Sequence, residues 1–496
     1  MTNGSAARLA QPSPAELLQR VRAVREAVAS DGGALYRSWR PRIGHRPFRL
    51  SALNFAHYLA LRHFDLRDLQ VQLMPYGLSS LGRLEARVLA NLDAVAGALA
   101  AMVGEAGPDF ARPRAFFRGD RLLSAASRAL LGAPRNKARQ VRIMVTMARS
   151  HAENAAAVKE LVAAGTEVFR INCAHDGPED WRAMVNAVRT ASRKARRRSV
   201  IVMDLGGPKC RIGKVREGRN GGRLRRGDAF LLTDGRKVQS DLLQATCTPP
   251  IIVPRLKMGE PVFLDDGRLG GVIEEAHGQA VLVRVRYAPE NGGKIKAAQG
   301  VNFPASDLGL PALTETDRAH LDTVAELADV VGYSFVQSAD DVVLLQNELA
   351  ARRPRDWHKL GLIAKIETPL GVHHLPEIIV QAASRQPFGV MIARGDLAVE
   401  IGFERLAEMQ EELLWLCEAA QVPVVWATQV LESLVKHGLP TRGDMTDAAM
   451  AARAECVMLN KGPHAAEAVA LLDRLLSRMA EHQTKKTSRL RALKSW

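Results

Sequence analysis

Cysteine is scarce and unpatterned in this chain of 496 residues: Cys173, Cys210, Cys247, Cys417 and Cys456 are scattered, odd in number and lack CxxC spacing. That excludes a disulfide framework and a zinc site, and most of the five read as small buried hydrophobes. No apolar run is long enough to span a bilayer, and the N-terminus, MTNGSAARLAQPSPAELLQR, lacks the apolar core of a secretory signal. A cytoplasmic protein with no membrane partner is expected. Acidic residues are also short: 53 Asp and Glu face 69 Lys and Arg, a net charge of +16. Such an excess attracts polyanions without specifying a fold. It clusters at RKARRR (193–198) and KKTSRLRALK (485–494), but no nucleic-acid motif accompanies either cluster. Nucleic acid is therefore not an expected partner, and anionic small substrates fit the charge equally well.

What is present is an ordinary globular composition, 47% hydrophobic and 25% charged, in a chain long enough for about two or three domains with sizeable cores. Residues 1–138 read as an α-helical N-terminal domain without recognisable chemistry. PAELLQRVRAVREAV, after a Ser-Pro start signal, and LSSLGRLEARVLANLDAVAGALAAMV both carry apolar residues at helical period. From residue 139 the texture becomes a beat of short apolar runs. They are VRIMVT (141–146), EVFRIN (167–172), SVIVMD (199–204), ADVVGYSF (328–335), LGLIAKI (360–366), GVMIA (389–393), VPVVW (422–426) and ECVML (455–459). Amphipathic segments lie between most of them. Strand and helix repeated eight times, with strands apolar on both faces, predict an α/β fold: a (β/α)8 TIM barrel over 139–209 and 301–480. The long interruption after strand three, 210–300, has short β-branched runs punctuated by Gly, Asp and Asn. It predicts a small all-β lid domain inserted in a barrel loop. Residues 481–496 form a basic C-terminal tail.

In such a barrel the residues just past each strand's C-terminal end converge on one site. Strand two delivers Arg170, Asn172 and then His175; strand three delivers Asp204, Lys209 and Arg211; strand four, Ser334. Strand five delivers Lys365 and Glu367, strand six Gly395 and Asp396, strand seven Thr428. Any one of these alone is more often a helix cap or a solvated loop residue. The set suggests phosphoryl transfer. Two carboxylates, Glu367 and Asp396, are too few for a closed protein cage, but they suit Mg²⁺, which keeps water and takes substrate oxygens. Arg170 and Arg211 offer forked donors to phosphate oxygens, and Lys365 a point cation beside the same metal. Thr428 could join a proton relay, and Gly395 lets a substrate carboxylate approach the backbone.

The stretches VFRINCAH, MDLGGPKCRIG, LDDG, QGVNFP, LIAKIETPLGV, VMIARGDLAVEI, PVVWATQVLESL and PTRGDMTD resemble, in order, the barrel motifs of the pyruvate kinase family, over about 139–475. The resemblance implies a glycolytic enzyme whose partners are phosphoenolpyruvate and ADP/ATP and whose cofactor is Mg²⁺ or Mn²⁺. It implies Lys365 as the group stabilising the transferring phosphoryl, and Glu367 and Asp396 as metal ligands. Arg170, Lys365, Gly395, Asp396, Thr428 and Ser334 become substrate contacts, with Thr428 near the enolpyruvate proton transfer. Asn172, His175 and Arg211 become nucleotide contacts. The family's barrels often pair, and PTRGD resembles part of that contact, so a homo-oligomer through the barrel is implied.

The departures from the family pattern are specific. Of its usual K⁺ ligands, Asn172 and Asp204 remain, while Ala174 and Leu205 replace two hydroxyl residues. The common Glu after Gly-Pro is Lys209, expected to set an internal ammonium beside Asp204, so K⁺ is expected not to be required. Gln299 stands in place of a nucleotide-contacting Lys, for which Lys294 or Lys296 is the expected substitute. Met147-Ala148-Arg149 replaces a Gly-Pro turn, and strand eight ends in LNKGPHAAEAV. The chain also stops soon after the last barrel helix, so the family's C-terminal regulatory domain is expected to be absent. Two rivals fit parts of this pattern. One is an Mg-dependent pyruvate-enolate aldolase, which needs neither the lid nor the nucleotide arginine. The other is a non-catalytic phosphoenolpyruvate-binding relative.

Overall fold

The computed structural model describes residues 11–218 and 222–492. Eight parallel strands close into a barrel in strict chain order: β1 (Arg142–Thr146), β2 (Val168–Asn172), β3 (Val200–Asp204), β4 (Val330–Tyr333), β5 (Gly361–Ile366), β6 (Phe388–Ala393), β7 (Val424–Ala427) and β8 (Cys456–Leu459), with β8 paired back onto β1. These are the eight apolar runs of the sequence. The α/β barrel expected there is the fold.

Side-chain alternation splits each strand into two populations. Ile143, Val145, Phe169, Ile171, Ile201 and Met203 join the large core shared with the surrounding helices. Met144, Val168, Val202, Val330, Ile363, Met391 and Met458 form a separate interior cluster. Two residues beyond Val168, Val202 and Ile363 come Arg170, Asp204 and Lys365. The charged residues therefore continue the inward-facing register, above a floor of apolar side chains.

Of the N-terminal helices α1 (Pro14–Trp39), α2 (Arg49–Leu61), α3 (Val88–Met102) and α4 (Arg118–Leu131), the last closes that floor from below. Helix α1 starts where the Ser-Pro signal put it: Ser13 caps the Glu16 amide at 3.3 Å and receives the Glu16 carboxylate on its own amide at 2.7 Å. The end of α4 enters the barrel. Leu130 and Leu131 belong to the interior cluster, and a Cβ on Gly361 or Gly389 would lie 2.6 or 2.5 Å from Leu130, so glycine at both strand starts makes the seat. The buried residues of α1 to α3 and the outer faces of the barrel form one continuous apolar cluster.

The insertion has a different relation to the barrel. Seven of its nine described strands between Arg211 and Asn302 build one sheet with its own core, including Phe230, Leu232, Val262, Val281 and Phe303, and the short Arg223–Leu224 and Gly293–Lys294 pair separately. The two connecting segments pair with each other, Val301 donating to the Cys210 carbonyl at 3.0 Å and Ile212 to that of Gln299 at 2.8 Å.

Four helices position the rest: α5 (Pro178–Lys194), α6 (Arg394–Ile401), α7 (Phe403–Ala419) and α8 (Ala465–His482). The basic tail after α8 turns back as a short hairpin, Gln483–Thr484 with Thr487–Ser488, whose Lys485 and Lys486 pair with Glu455 and Glu85. Among the described residues, no helix is long and apolar enough to cross a membrane.

Candidate active site

A cavity of about 420 Å³ opens at the C-terminal ends of the strands, under the lid. Arg170, Asn172, His175, Lys209, Arg211, Ser334, Lys365, Glu367, Gly395, Asp396 and Thr428 all line it. Of the expected residues only Asp204 lies beneath the surface, fully buried. Eleven residues drawn from six strand tips thus meet in one place, as the inward register requires.

The centre is a compact ionic lattice. The Lys365 ammonium lies 3.1 Å from Glu367 Oε1 and 3.7 Å from Asp204 Oδ2, and donates to Ser334 Oγ at 2.7 Å. Ser334 in turn donates to the Leu205 carbonyl at 2.8 Å, so its hydroxyl is committed to holding Lys365. Arg170 Nε donates to Asp204 Oδ2 at 2.6 Å, and Nη1 to Thr146 Oγ1 at 3.2 Å. Asp204 is in this way the buried anchor that aims both cations. A Cβ on Gly332 would strike its carboxylate.

Glu367 is buried, and its Oε2 accepts the Phe335 amide at 2.6 Å. Burial pushes its carboxyl up; the Lys365 ammonium opposes this and the neighbouring Asp396 charge adds to it. Glu367, with the Asp396 carboxylate beside it, forms a ready donor pair for a hard cation. Among the described residues no group of three or more His, Cys, Asp and Glu is placed to hold a metal. The donor chemistry therefore fits a cation such as Mg²⁺ or Mn²⁺ that completes its shell with water and substrate oxygens.

Lys209 is not where the sequence suggested. Its ammonium bonds Asp396 Oδ1 at 2.7 Å rather than sitting on Asp204. Asp204 already holds Arg170 and Lys365, and the Gly206-Gly207 turn, with Gly207 at φ +68°, carries the chain off the barrel axis. Burial would lower the Lys209 ammonium, but the Asp396 charge and hydrogen bond, with the Asp266 and Glu367 charges, together raise it above its ordinary value. Gly395 also has a second role: a Cβ there would lie 2.9 Å from the Thr428 methyl group, so glycine lets the β6 and β7 tips close together.

Three contributors were missed. Arg394, inside the same VMIARGDLAVEI stretch, donates Nε to the Ala427 carbonyl at 2.8 Å and Nη2 to that of Thr428 at 2.5 Å. It is forked onto Asp447 and stacked 4.7 Å over Trp426. It thereby fixes a turn in which Thr428 and Gln429 have φ of +72° and +57°. Asp266, the second carboxylate of LDDG, enters the cavity from the lid. Lys461 enters from the β8 tip, whereas Lys294 and Lys296 do not line the cavity. Gln299 is spent on its own turn, accepting the Lys296 amide at 2.6 Å. Lys461 is thus a cation added to the cavity wall by the strand end that departs from the family pattern. His175 is held below its ordinary value by burial and by the Lys461 and Arg211 charges, leaving those two residues as the permanent cations of that wall.

A family model described as pyruvate kinase, barrel domain, matches residues 138–469. The chain belongs to the pyruvate kinase family. Relatives with the name pyruvate kinase include one from Methylorubrum extorquens, 32% identical over 68% of each chain. Another, from Thermococcus litoralis, is 32% identical over 68% of this chain and 69% of its own, and one from Agrobacterium vitis is 31% identical over 70% of each. The matched region contains every residue of the ionic lattice and the whole lid, so the pyruvate kinase family pattern and the converging strand tips coincide.

Proposed function

We propose that this protein has pyruvate kinase activity, transferring a phosphoryl group between phosphoenolpyruvate and ADP with Mg²⁺ or Mn²⁺ and without a K⁺ requirement. The observation that carries this reading is the lattice of Lys365, Arg170, Glu367 and Asp396 beneath a lid, in a chain of that family.

Toward pyruvate, the bond between phosphorus and the enolate oxygen breaks and one to a terminal ADP oxygen forms. The enolate then takes a proton at its methylene carbon. Catalysis of such a transfer is mostly positioning and charge stabilisation. Lys365, aimed by Ser334, faces the transferring group, and Arg170, aimed by Asp204, offers its remaining N–H groups to phosphate oxygens. A divalent cation held by Glu367 and Asp396 would neutralise charge on the substrate oxygens. Arg211 and Lys461 flank the wall assigned to the nucleotide phosphates. Thr428, fixed by Arg394, stands beside Gly395, where the enolpyruvate carboxylate and methylene would lie. Lys209 keeps a fixed monovalent charge in the cavity, which supports independence from K⁺.

The test is pyruvate formation from phosphoenolpyruvate, ADP and Mg²⁺, with K⁺ or with tetramethylammonium, for wild type and Lys365→Ala. Turnover indifferent to K⁺ and lost in the variant is expected. Turnover only with K⁺ would remove the Lys209 role and leave the kinase. No turnover in either salt would sink the kinase reading.

A further inference from the structure

The basic run RKARRR lies at the opposite end of the molecule from the cavity under the lid. It lies where α5 returns to the N-terminal end of β3, and its Arg197 and Arg198 stand on the wall of a second cavity of about 680 Å³. This cavity is a seam between two parts of the chain. One side is the end of α4 and the segment after it, Arg128–Arg135; the other is the base of β2 to β5.

Its charge is unbalanced by construction. Arg128, Arg197, Arg198 and Lys359 line it, and the side chains of all four have no ion-pair or hydrogen-bond partner among the described residues. The three carboxylates in the wall are already committed. Glu167 pairs with Arg139 and accepts the Ile143 amide, Asp329 pairs with Arg189, and Asp356 pairs with Arg353. One wall residue, Thr166, is 5% exposed and its hydroxyl has no hydrogen-bond partner, a cost that a bound acceptor would relieve. The rest of the wall includes Val162, Val200 and Leu360, apolar surface of the kind that accompanies convergent polar groups in small-molecule sites.

We propose that this seam is a binding site for a small phosphate-bearing anion, which joins the helical N-terminal region to the barrel base. Forked guanidinium donors match phosphate oxygens, and three of the four free cations are arginines. The cations come from α4, from the α5–β3 turn and from the segment before β5, so an anion among them ties three segments that otherwise repel. The site is independent of the reaction under the lid.

Calorimetric titration of the full chain with inorganic pyrophosphate, without divalent metal, tests this. Two binding events are expected for wild type, one under the lid and one at the seam. Arg197→Ala with Arg198→Ala should weaken only the second, by about tenfold for each charge-assisted hydrogen bond lost. Lys359→Ala, on a different wall, should weaken it independently. The control is Arg193→Ala with Lys194→Ala, which removes the same charge from the end of α5 outside the cavity and should change nothing. A single event that neither seam variant alters, or equal losses in seam and control variants, would overturn the proposal. Pyruvate formation without pyrophosphate, unchanged in all variants, checks that the fold is intact.

Discussion

Two additions are attached to the same barrel, and they are attached in opposite ways. The helical region at the base shares its apolar core with the barrel and drives Leu130 and Leu131 into the interior. The lid at the mouth keeps its own core and meets the barrel through polar contacts, such as Lys209 with Asp396 and Asn302 with Glu400 at 2.9 Å. Moving the first would expose apolar surface; rearranging the second exchanges hydrogen bonds and ion pairs for water at little net cost. The difference teaches where stability and where chemistry are kept. The base is welded, and the mouth is hinged.

Substitutions can break this contrast. The largest effect is expected from Lys365→Ala, with turnover lower by about a thousandfold and stability lower by about 3 kcal/mol, because the buried Glu367 and Asp204 lose their shared cation. Loss of folding rather than of rate would make Lys365 a structural ion instead. Leu130→Ala is the mirror experiment: a loss of about 2–5 kcal/mol in denaturant unfolding, with unaltered Michaelis constants. A raised KM for phosphoenolpyruvate would show that the base communicates with the mouth.

Arg394→Lys should be smaller. The three N–H donors of a lysine cannot reproduce the four bonds that the planar guanidinium makes to two carbonyls and both Asp447 oxygens, so Thr428 loses its fixed position. A fall in kcat of about tenfold is expected with KM for ADP unchanged, and with proton delivery to the enolate slowed more than phosphoryl transfer. Equal slowing of both steps would deny Arg394 a role through Thr428.

The smallest effect sharpens the lid side. Glu400, at the Asn302 hinge contact, is pushed from 4.5 up to about 7, chiefly by burial, with the Asn302 bond opposing and the Asp396 charge adding. The folded state therefore holds a proton that the unfolded state has released, and stability should fall as pH rises from about 4.5 to 7. Glu400→Gln should flatten that segment of the stability curve; an unchanged slope would show that Glu400 is solvated.

The barrel was legible because strands buried on both faces leave an unmistakable apolar beat, and inward parity then carries Arg170 and Lys365 to one cavity with Asp204 beneath it. Lys209 was misplaced because it follows a Gly-Gly-Pro turn, and past such a turn spacing no longer predicts direction. Lys461 and Asp266 were missed as members because each reaches the site from a segment whose approach depends on packing. Arg394 was overlooked for a related reason: its three acceptors lie on β7 and beyond, distant in sequence.

The sequence by itself determined the eight-strand beat, the inserted β unit, the helical N-terminus and the inward register of the central charges. These depend on local period and composition, which the chain carries wherever it goes. Tertiary structure decided which partners those charges took: Lys209 on Asp396, Ser334 on Lys365, and, at the base, four cations unpaired among the described residues. Such contacts form by proximity through space, and proximity between segments as distant in the chain as Lys209 and Asp396 exists only after the barrel has closed.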